Sequence, residues 1–187
     1  MWETVFINYR TLVQRVEEKL GEIRSGVGDS MACRKGCDGC CRHISIFMVE
    51  ACWLVLALEA LTGPERSRIR ERARHADPEG CCPLLEEGCC VLYAARPLIC
   101  RTHGYPILVE EGGDAFLDCC PLNFTDNLAE MLPFSLSLDS LNRMLSAVHT
   151  LFMKESPMVD RAVPDRMSIA EALLMDWESW TCGSMQR

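Results

Sequence analysis

Long hydrophobic runs are missing from this sequence. The best membrane candidate, Ile44 to Leu61, is interrupted by Glu50 and Glu59, and its unbroken stretch, Ala51 to Leu58, is only eight residues. A bilayer-spanning helix needs about 20. The start, Met1-Trp2-Glu3-Thr4, has neither the basic n-region nor the apolar h-region of an export signal. Excess positive charge is missing too. Lys and Arg number 19 against 27 Asp and Glu, a net charge of -8. A diffusely acidic chain is poor at displacing counterions from phosphates, so nucleic acid is not an expected partner. There is no internal repeat, no low-complexity linker, and no Ser-His-Asp set, phosphate loop or paired-carboxylate motif. These absences leave a soluble cytoplasmic protein, with neither membrane nor nucleic acid as a partner, as the expectation.

What is present is a globular composition and an excess of cysteine. The 187 residues are 49% hydrophobic and 25% charged. That suits one domain burying roughly 70% of its unfolded surface. The expected organisation is an N-terminal helix in residues 1–28, a cysteine-rich core in 29–125 and C-terminal helices in 126–187. Val5, Tyr9, Leu12, Val13, Val16, Leu20 and Ile23 recur at helical spacing and predict a helix over residues 3–24, stopped by Gly26 and Gly28. A second helix, apolar nearly all round and hence buried, is predicted over 48–61. A third starts at Pro64 and ends near His75. Its Arg66, Arg68, Arg70, Arg72 and Arg74 read as a solvated face, with a partner-binding patch as the alternative.

Two hairpins follow. Cys82-Pro-Leu-Leu and Cys89-Cys-Val-Leu-Tyr flank Glu86-Glu87-Gly88, read as a three-residue loop with Gly88 left-handed. Gly112-Gly113 separates a second pair of strands, 105–110 and 114–119. Leu141, Leu145, Val148 and Phe152 mark an amphipathic helix over 140–154. Ser168-Ile-Ala-Glu171 is a capping box opening a last helix towards Trp180. The fold class is therefore mainly α with small inserted β-hairpins, organised around a cysteine-rich metal-binding centre.

Thirteen cysteines in a chain expected to stay in a reducing compartment point to metal or redox chemistry rather than disulfides. Cys33-x3-Cys37-x2-Cys40-Cys41 sits on a loop where Gly36 and Gly39 let sulfurs turn towards one ion. Arg34, Lys35 and Arg42 would favour thiolates there. In the first hairpin, a three-residue loop sets Leu84 opposite Cys90. Alternation then gathers Cys82, Leu84, Cys90 and Leu92 on one face and leaves Cys81 and Cys89 on the other. The 33-37-40 spacing also occurs at radical-SAM clusters, and Cys-x-x-Cys in thioredoxins, but both need βαβ alternation that is absent here. Cys52, within an apolar helix, and Cys182, near the end, read as small buried hydrophobes.

The run Cys33-Arg-Lys-Gly-Cys-Asp-Gly-Cys-Cys41, then Cys82-Pro-Leu-Leu, then Cys90-Val-Leu-Tyr-Ala-Ala-Arg-Pro-Leu-Ile-Cys-Arg101 resembles the CxxCxxCC cysteine-cluster family. That family is also called YkgJ-like, and is labelled zinc- or iron-chelating or Fe-S oxidoreductase. Gly104, Pro106 and Cys120-Pro-Leu-Asn-Phe124 resemble its later part. The match covers about half of the chain, residues 33–124. It departs from the pattern in its first gap, x3 rather than x2, and in the doubled Cys81, Cys89 and Cys119. The resemblance implies a metal site and no particular reaction.

The expected metal ligands are Cys33, Cys37, Cys40, Cys41, Cys82, Cys90, Cys100 and Cys120. A tetrahedral ion takes four donors, so eight imply two sites or one polynuclear cluster. Adjacent Cys40 and Cys41 would strain to bind one ion. His43 and His103 flank the cysteines and could replace one, or be surface residues. Arg96 and Arg101 could donate to metal-bound sulfur or to an anion, or form ordinary salt bridges. Tyr93 is expected in the core. The expected cofactor is an iron–sulfur cluster or iron used for electron transfer or redox chemistry with a protein redox partner. Zinc in a structural, interaction or metal-handling module is the alternative.

Overall fold

The first hairpin shows how this chain builds local structure. Strands β2 (Leu85–Glu86) and β3 (Cys89–Cys90) pair antiparallel with Leu85 opposite Cys90 and Glu86 opposite Cys89. Only Glu87 and Gly88 are left in the loop, at φ of 50 and 72. Two residues with positive φ make a type I′ turn, whose twist matches the strands it joins. The expected three-residue loop is therefore corrected to two, and Leu85 rather than Leu84 faces Cys90. The expected register fails because Glu87, a residue with a Cβ, takes a left-handed conformation that glycine usually supplies. The second hairpin, β4 (Ile107–Glu111) with β5 (Asp114–Asp118), has the expected Gly112-Gly113 loop, again with both φ positive.

The structure is a computed structural model that describes residues 2–156 and 163–177. It is mainly helical with small sheets, as the sequence predicts. The helices are α1 (Trp2–Val5), α2 (Ile7–Val27), α3 (Met48–Glu59), α4 (Gly63–Arg74), α5 (Leu98–Thr102), α6 (Leu138–Glu155) and α7 (Ile169–Leu174). Among the described residues, none is long and apolar enough to cross a membrane. The last helix stops at Leu174, where Met175 turns to an extended ψ of 133, short of the expected course towards Trp180; the rest of that course, and Cys182, lie outside the described residues.

Chain contacts gather into two compact units. The first comprises residues 1–6, 35–97 and 149–187. Its core is α3, whose Met48, Val49, Cys52, Leu54, Val55 and Leu58 are fully buried, and α3 and α4 pack on α7. Each of these helices starts with a glutamate in its first turn that reaches back to the backbone N–H of the residue before the helix. The carboxylate of Glu50 accepts the Phe47 N–H at 3.1 Å, Glu65 that of Thr62 at 2.9 Å, and Glu171 that of Ser168 at 2.7 Å. The Ser168 hydroxyl accepts the Glu171 N–H in return, the predicted capping box. Strand β1 (Ser45–Phe47) pairs antiparallel with β7 (Arg166–Ser168), far away in sequence. Phe6 lies against Trp53 and Phe152, with ring centroids 5.4 and 5.2 Å away.

The arginines of α4 are not a solvated face. Arg66 and Arg70 both pair with Glu59, and their guanidiniums donate to the carbonyls of Glu59, Leu61 and Leu173. Arg72 donates to the Pro83 carbonyl and to Glu86. Half-buried carbonyls at helix ends need donors, and these long side chains supply them. Arg68 is exposed to solvent, and the exposed Arg74 pairs with Glu71 one turn away.

The second unit comprises residues 7–34 and 98–148. Tyr9, Leu12, Val16, Leu20, Ile23 and Val27 form the buried stripe of α2. This helix runs past the predicted stop at Gly26 and ends at Gly28, where φ turns to +56. Gly26 is needed for a close approach: a Cβ there would lie 2.5 Å from the Phe134 ring. In the small sheet, β4 is central, antiparallel to β5 and parallel to the short β6 (Leu136–Ser137).

Candidate metal centre

The loop before β1 brings cysteines of the first unit to the hairpin. The Cys41 N–H donates to Asp38 O at 2.8 Å and the Arg42 N–H to Cys40 O at 2.9 Å, so the chain folds tightly at the Cys40-Cys41 pair. The same loop then pairs with the segment leading into β2. Arg42 and Cys81 form an antiparallel bridge, with His43 N–H on Gly80 O at 3.1 Å and Cys82 N–H on Cys41 O at 2.9 Å. Gly88 at the hairpin tip sits against Gly36, close enough that a Cβ would be 3.5 Å from the Gly36 Cα. Backbone bonds therefore fix the loop and the hairpin side by side.

This arrangement puts the sulfurs of Cys40, Cys82 and Cys90 within electrostatic reach of the Cys41 sulfur. The Cys41 thiol is pushed up to about 12, first by burial, then by the neighbouring Cys40, Cys82 and Cys90. The Cys40 and Cys41 side chains also hydrogen-bond, so the adjacent pair shares one neighbourhood. Burial, with Cys90 and Cys81 nearby, pushes Cys82 up to about 11, and burial raises Cys90. The nearby basic residues expected to favour thiolates do not decide the matter: desolvation and mutual repulsion keep these sulfurs protonated.

Two backbone donors oppose that trend. The Leu84 N–H donates to the Cys82 sulfur and the Leu92 N–H to the Cys90 sulfur, and both favour the thiolate. Each is a Cys-x-Leu turn in which the amide two residues on points back at sulfur. Such bonds stabilise metal-bound thiolates by spreading their charge. Leu84 and Leu92 themselves are 1% and 6% exposed, which anchors both turns in the core. Arg96 adds a positive charge within reach of Cys90.

The remaining candidates are placed differently. Cys37 is exposed on the loop, and Cys81 and Cys89 do not contribute to the environment of Cys41. Cys52 is buried in α3, and burial pushes it up to about 12. Cys33, Cys100, Cys119 and Cys120 belong to the second unit. His43 has both ring nitrogens occupied: Nε2 accepts the Ala170 N–H at 3.3 Å, and Nδ1 lies 3.3 Å from the Asp77 carbonyl. That pattern requires the neutral tautomer with the proton on Nδ1, and leaves no lone pair for an ion. His103 is exposed at the end of α5. Arg101 is buried and ion-paired with Glu17 at 2.5 Å. Tyr93, expected in the core, is 63% exposed, because a 3-10 turn over Tyr93–Ala95 swings its ring out beneath the Arg96 guanidinium, 3.9 Å away.

All described cysteines are thiols rather than disulfides. Among the described residues, no three His, Cys, Asp or Glu side chains already meet around a point where they could hold a metal ion. The donor chemistry nevertheless suits a thiophilic ion. The Cys40, Cys82 and Cys90 sulfurs each lie within electrostatic reach of Cys41, and two of them, Cys82 and Cys90, receive amide N–H bonds. Sequence reasoning missed one polar residue of the second unit, the buried Asn123, which touches Cys33; its only signal was its place after Cys120-Pro-Leu. No family model matches the chain, and searches of curated proteins and of solved structures also find no match.

Proposed function

We propose that the protein binds a thiophilic metal through the thiolates of Cys40, Cys41, Cys82 and Cys90. The observation that carries this reading is the backbone bridge from Cys41 to Cys82, which joins the cysteine loop to a hairpin whose Cys82 and Cys90 sulfurs already accept amide N–H bonds. Thiols that burial and neighbouring sulfurs keep protonated give up their protons to a thiophilic cation, whose charge offsets the repulsion that thiolates would otherwise feel. The strain expected of adjacent Cys40 and Cys41 on one ion is offset in this reading by the tight turn at that pair, which already brings the two side chains into hydrogen-bond contact.

Iron, alone or in an iron–sulfur cluster, is the first reading, and it would supply one-electron chemistry to a protein redox partner. The exposed Tyr93 ring, stacked on the half-buried Arg96 guanidinium beside Cys90, is the surface such a partner would meet. Zinc is the second reading. It is favoured by the smallness of the hairpin, since a two-pair ladder needs a cross-link more than a redox centre. Elemental analysis and visible absorption of anaerobically purified protein decide between them. Broad visible colour with stoichiometric iron supports the first, and colourless protein with zinc the second. Well-folded protein carrying neither metal, with all thiols titratable, would overturn both.

A further inference from the structure

The bridge between the cysteine loop and the segment before β2 sets two cysteines opposite each other. Arg42 and Cys81 are its paired residues, flanked by His43 N–H on Gly80 O at 3.1 Å and Cys82 N–H on Cys41 O at 2.9 Å. In an antiparallel ladder the next residues along are also opposite, so Cys41 faces Cys82. The ladder ends there, because the Cys41 N–H turns away to Asp38 O at 2.8 Å. Directly opposite residues have Cα atoms about 4.5–5.5 Å apart and side chains on one face. A disulfide spans Cα separations of about 4.4–6.8 Å. Both thiols are half-buried, and Cys82 is within electrostatic reach of Cys41.

Other pairings fit less well. Cys40 and Cys41 touch through their side chains, but neighbouring Cα atoms lie only about 3.8 Å apart across a trans peptide, too close for an unstrained disulfide. Cys81 faces Arg42, Cys89 faces Glu86 and Cys90 faces Leu85, so none of these three has a cysteine opposite it.

We infer that Cys41 and Cys82 form a reversible disulfide, with a low-molecular-weight disulfide as the oxidant, and that this link switches off metal uptake by the four-cysteine set. The link follows from the register alone, whereas its effect on metal rests on the function proposed above. The exchange balances in two steps. The Cys41 sulfur attacks one sulfur of the small disulfide, R–S–S–R, displacing one R–S− and leaving Cys41 joined to S–R. The Cys82 sulfur then attacks the Cys41 sulfur and displaces the second R–S−. One S–S bond breaks in the oxidant and one forms in the protein. The two thiol protons leave with the two R–SH produced. Only a thiolate is a good metal ligand, so the linked sulfurs are lost to the ion together.

The test uses the full-length chain, reduced, stripped of metal and incubated with excess oxidised glutathione at mildly alkaline pH, where more thiol is ionised. Free thiols are then alkylated, and the links are mapped by mass spectrometry with peptide fragmentation. Cys41–Cys82 should be the dominant internal link, and dithiothreitol should reverse it. Cys40→Ser, Cys81→Ser and Cys89→Ser should keep it. Zn2+ competition with a coloured chelator should show the linked chain binding at least about 100-fold more weakly than the reduced one, since two ligands go at once. A different dominant link, or mixed disulfides with glutathione alone, overturns the inference and leaves the metal reading standing. A linked chain that binds Zn2+ as tightly as the reduced one overturns the switch. A Cys41–Cys82 link in a chain whose reduced form takes up neither Zn2+ nor iron removes the metal reading and the switch with it, so the failures are distinguishable.

Discussion

The two hairpins use the same turn and rest on different supports. Both close through two residues of positive φ. In β4–β5, five residue pairs run from Ile107–Asp118 to Glu111–Asp114, and β6 adds a third strand. In β2–β3 there are two pairs and no third strand. An isolated two-stranded hairpin is marginal in water. The shorter one is instead held at its base by the buried Leu84 and Leu92, by Arg72 on Pro83 and Glu86, and by the bridge to the cysteine loop. The shorter ladder is the one that carries Cys89 and Cys90 and follows Cys82.

Metal removal should break the comparison most visibly. If a metal holds Cys40, Cys41, Cys82 and Cys90 together, chelation under reducing conditions leaves the short ladder without its cross-link. Hydrogen exchange read by mass spectrometry should then show residues 37–43 and 80–92 losing protection by about 100-fold or more. The bonded amides of β4 and β5 should change little. Equal loss in both hairpins would mean global unfolding rather than a local metal clamp.

Substitutions inside the cysteine pairs sharpen the point. Cys82→Ser and Cys90→Ser should each cost at least about 100-fold in metal affinity, since loss of a ligand exceeds the 10–100-fold typical of the groups around it. Cys81→Ser and Cys89→Ser should cost little. The same sorting was legible in the sequence, but through a register that the structure corrects. Cys82 lies before β2 in a turn, where Leu85 N–H donates to Cys82 O at 2.9 Å, and it reaches Cys90 from there. Competitive titration of each purified variant gives the answer, and parity between Cys81 and Cys82 would refute the sorting.

Legibility elsewhere followed the range of the interaction. The Ser168–Glu171 box, Pro64 in the first turn of α4 and the Gly112-Gly113 loop are local devices, and each forms as the sequence predicts. The pairing of Ser45 with Ser168, and the parallel placing of Leu136 beside Ile107, have no local signal. The same holds for Arg66 and Arg70, whose carbonyl partners are set by helix packing rather than by charge periodicity. Among the candidate site residues, spacing singled out the cysteines. It could not say which of them share a neighbourhood, because the decisive bridge, Arg42 to Cys81, crosses two helices of sequence.

A pH titration should separate the regions more gently. In the metal-free chain, burial and like neighbours raise Cys41 to about 12 and Cys82 to about 11, from a usual 9.0. A raised thiol pKa means that the folded state holds its proton longer than the unfolded one. The resulting stability is fully present below pH 9 and is lost as pH rises through 11 to 12. Cys52, also raised to about 12, behaves the same way, so a Cys52→Ala background isolates the loop and hairpin. Alkaline exchange should then open residues 37–43 and 80–92 before β4–β5. With metal the sign reverses. Uptake at neutral pH must expel thiol protons, so apparent affinity should climb as pH rises towards 9. Affinity that is flat between pH 6 and 8 would count against thiolate ligation.

The smallest effect lies in the turns themselves. Gly112 takes φ of 62 at no steric cost, while Glu87 takes φ of 50 with a Cβ in place. A left-handed L-residue costs roughly 1–2 kcal/mol, and asparagine tolerates the conformation best among residues with side chains. Glu87 is exposed, so its carboxylate stays in water and little is lost with it. Glu87→Asn should therefore stabilise the β2–β3 turn by about 0.5–1 kcal/mol, read as slower exchange at Cys89 and Cys90 in the metal-free chain. The mirror change, Gly112→Glu in the other hairpin, should cost about 1 kcal/mol and be visible only in β4–β5. Metal should mask the first change, since a clamped hairpin no longer depends on its turn, and leave the second untouched. If Glu87→Asn stabilises the chain equally with and without metal, the short hairpin does not lean on its sulfurs, and the contrast between the two hairpins is one of length alone.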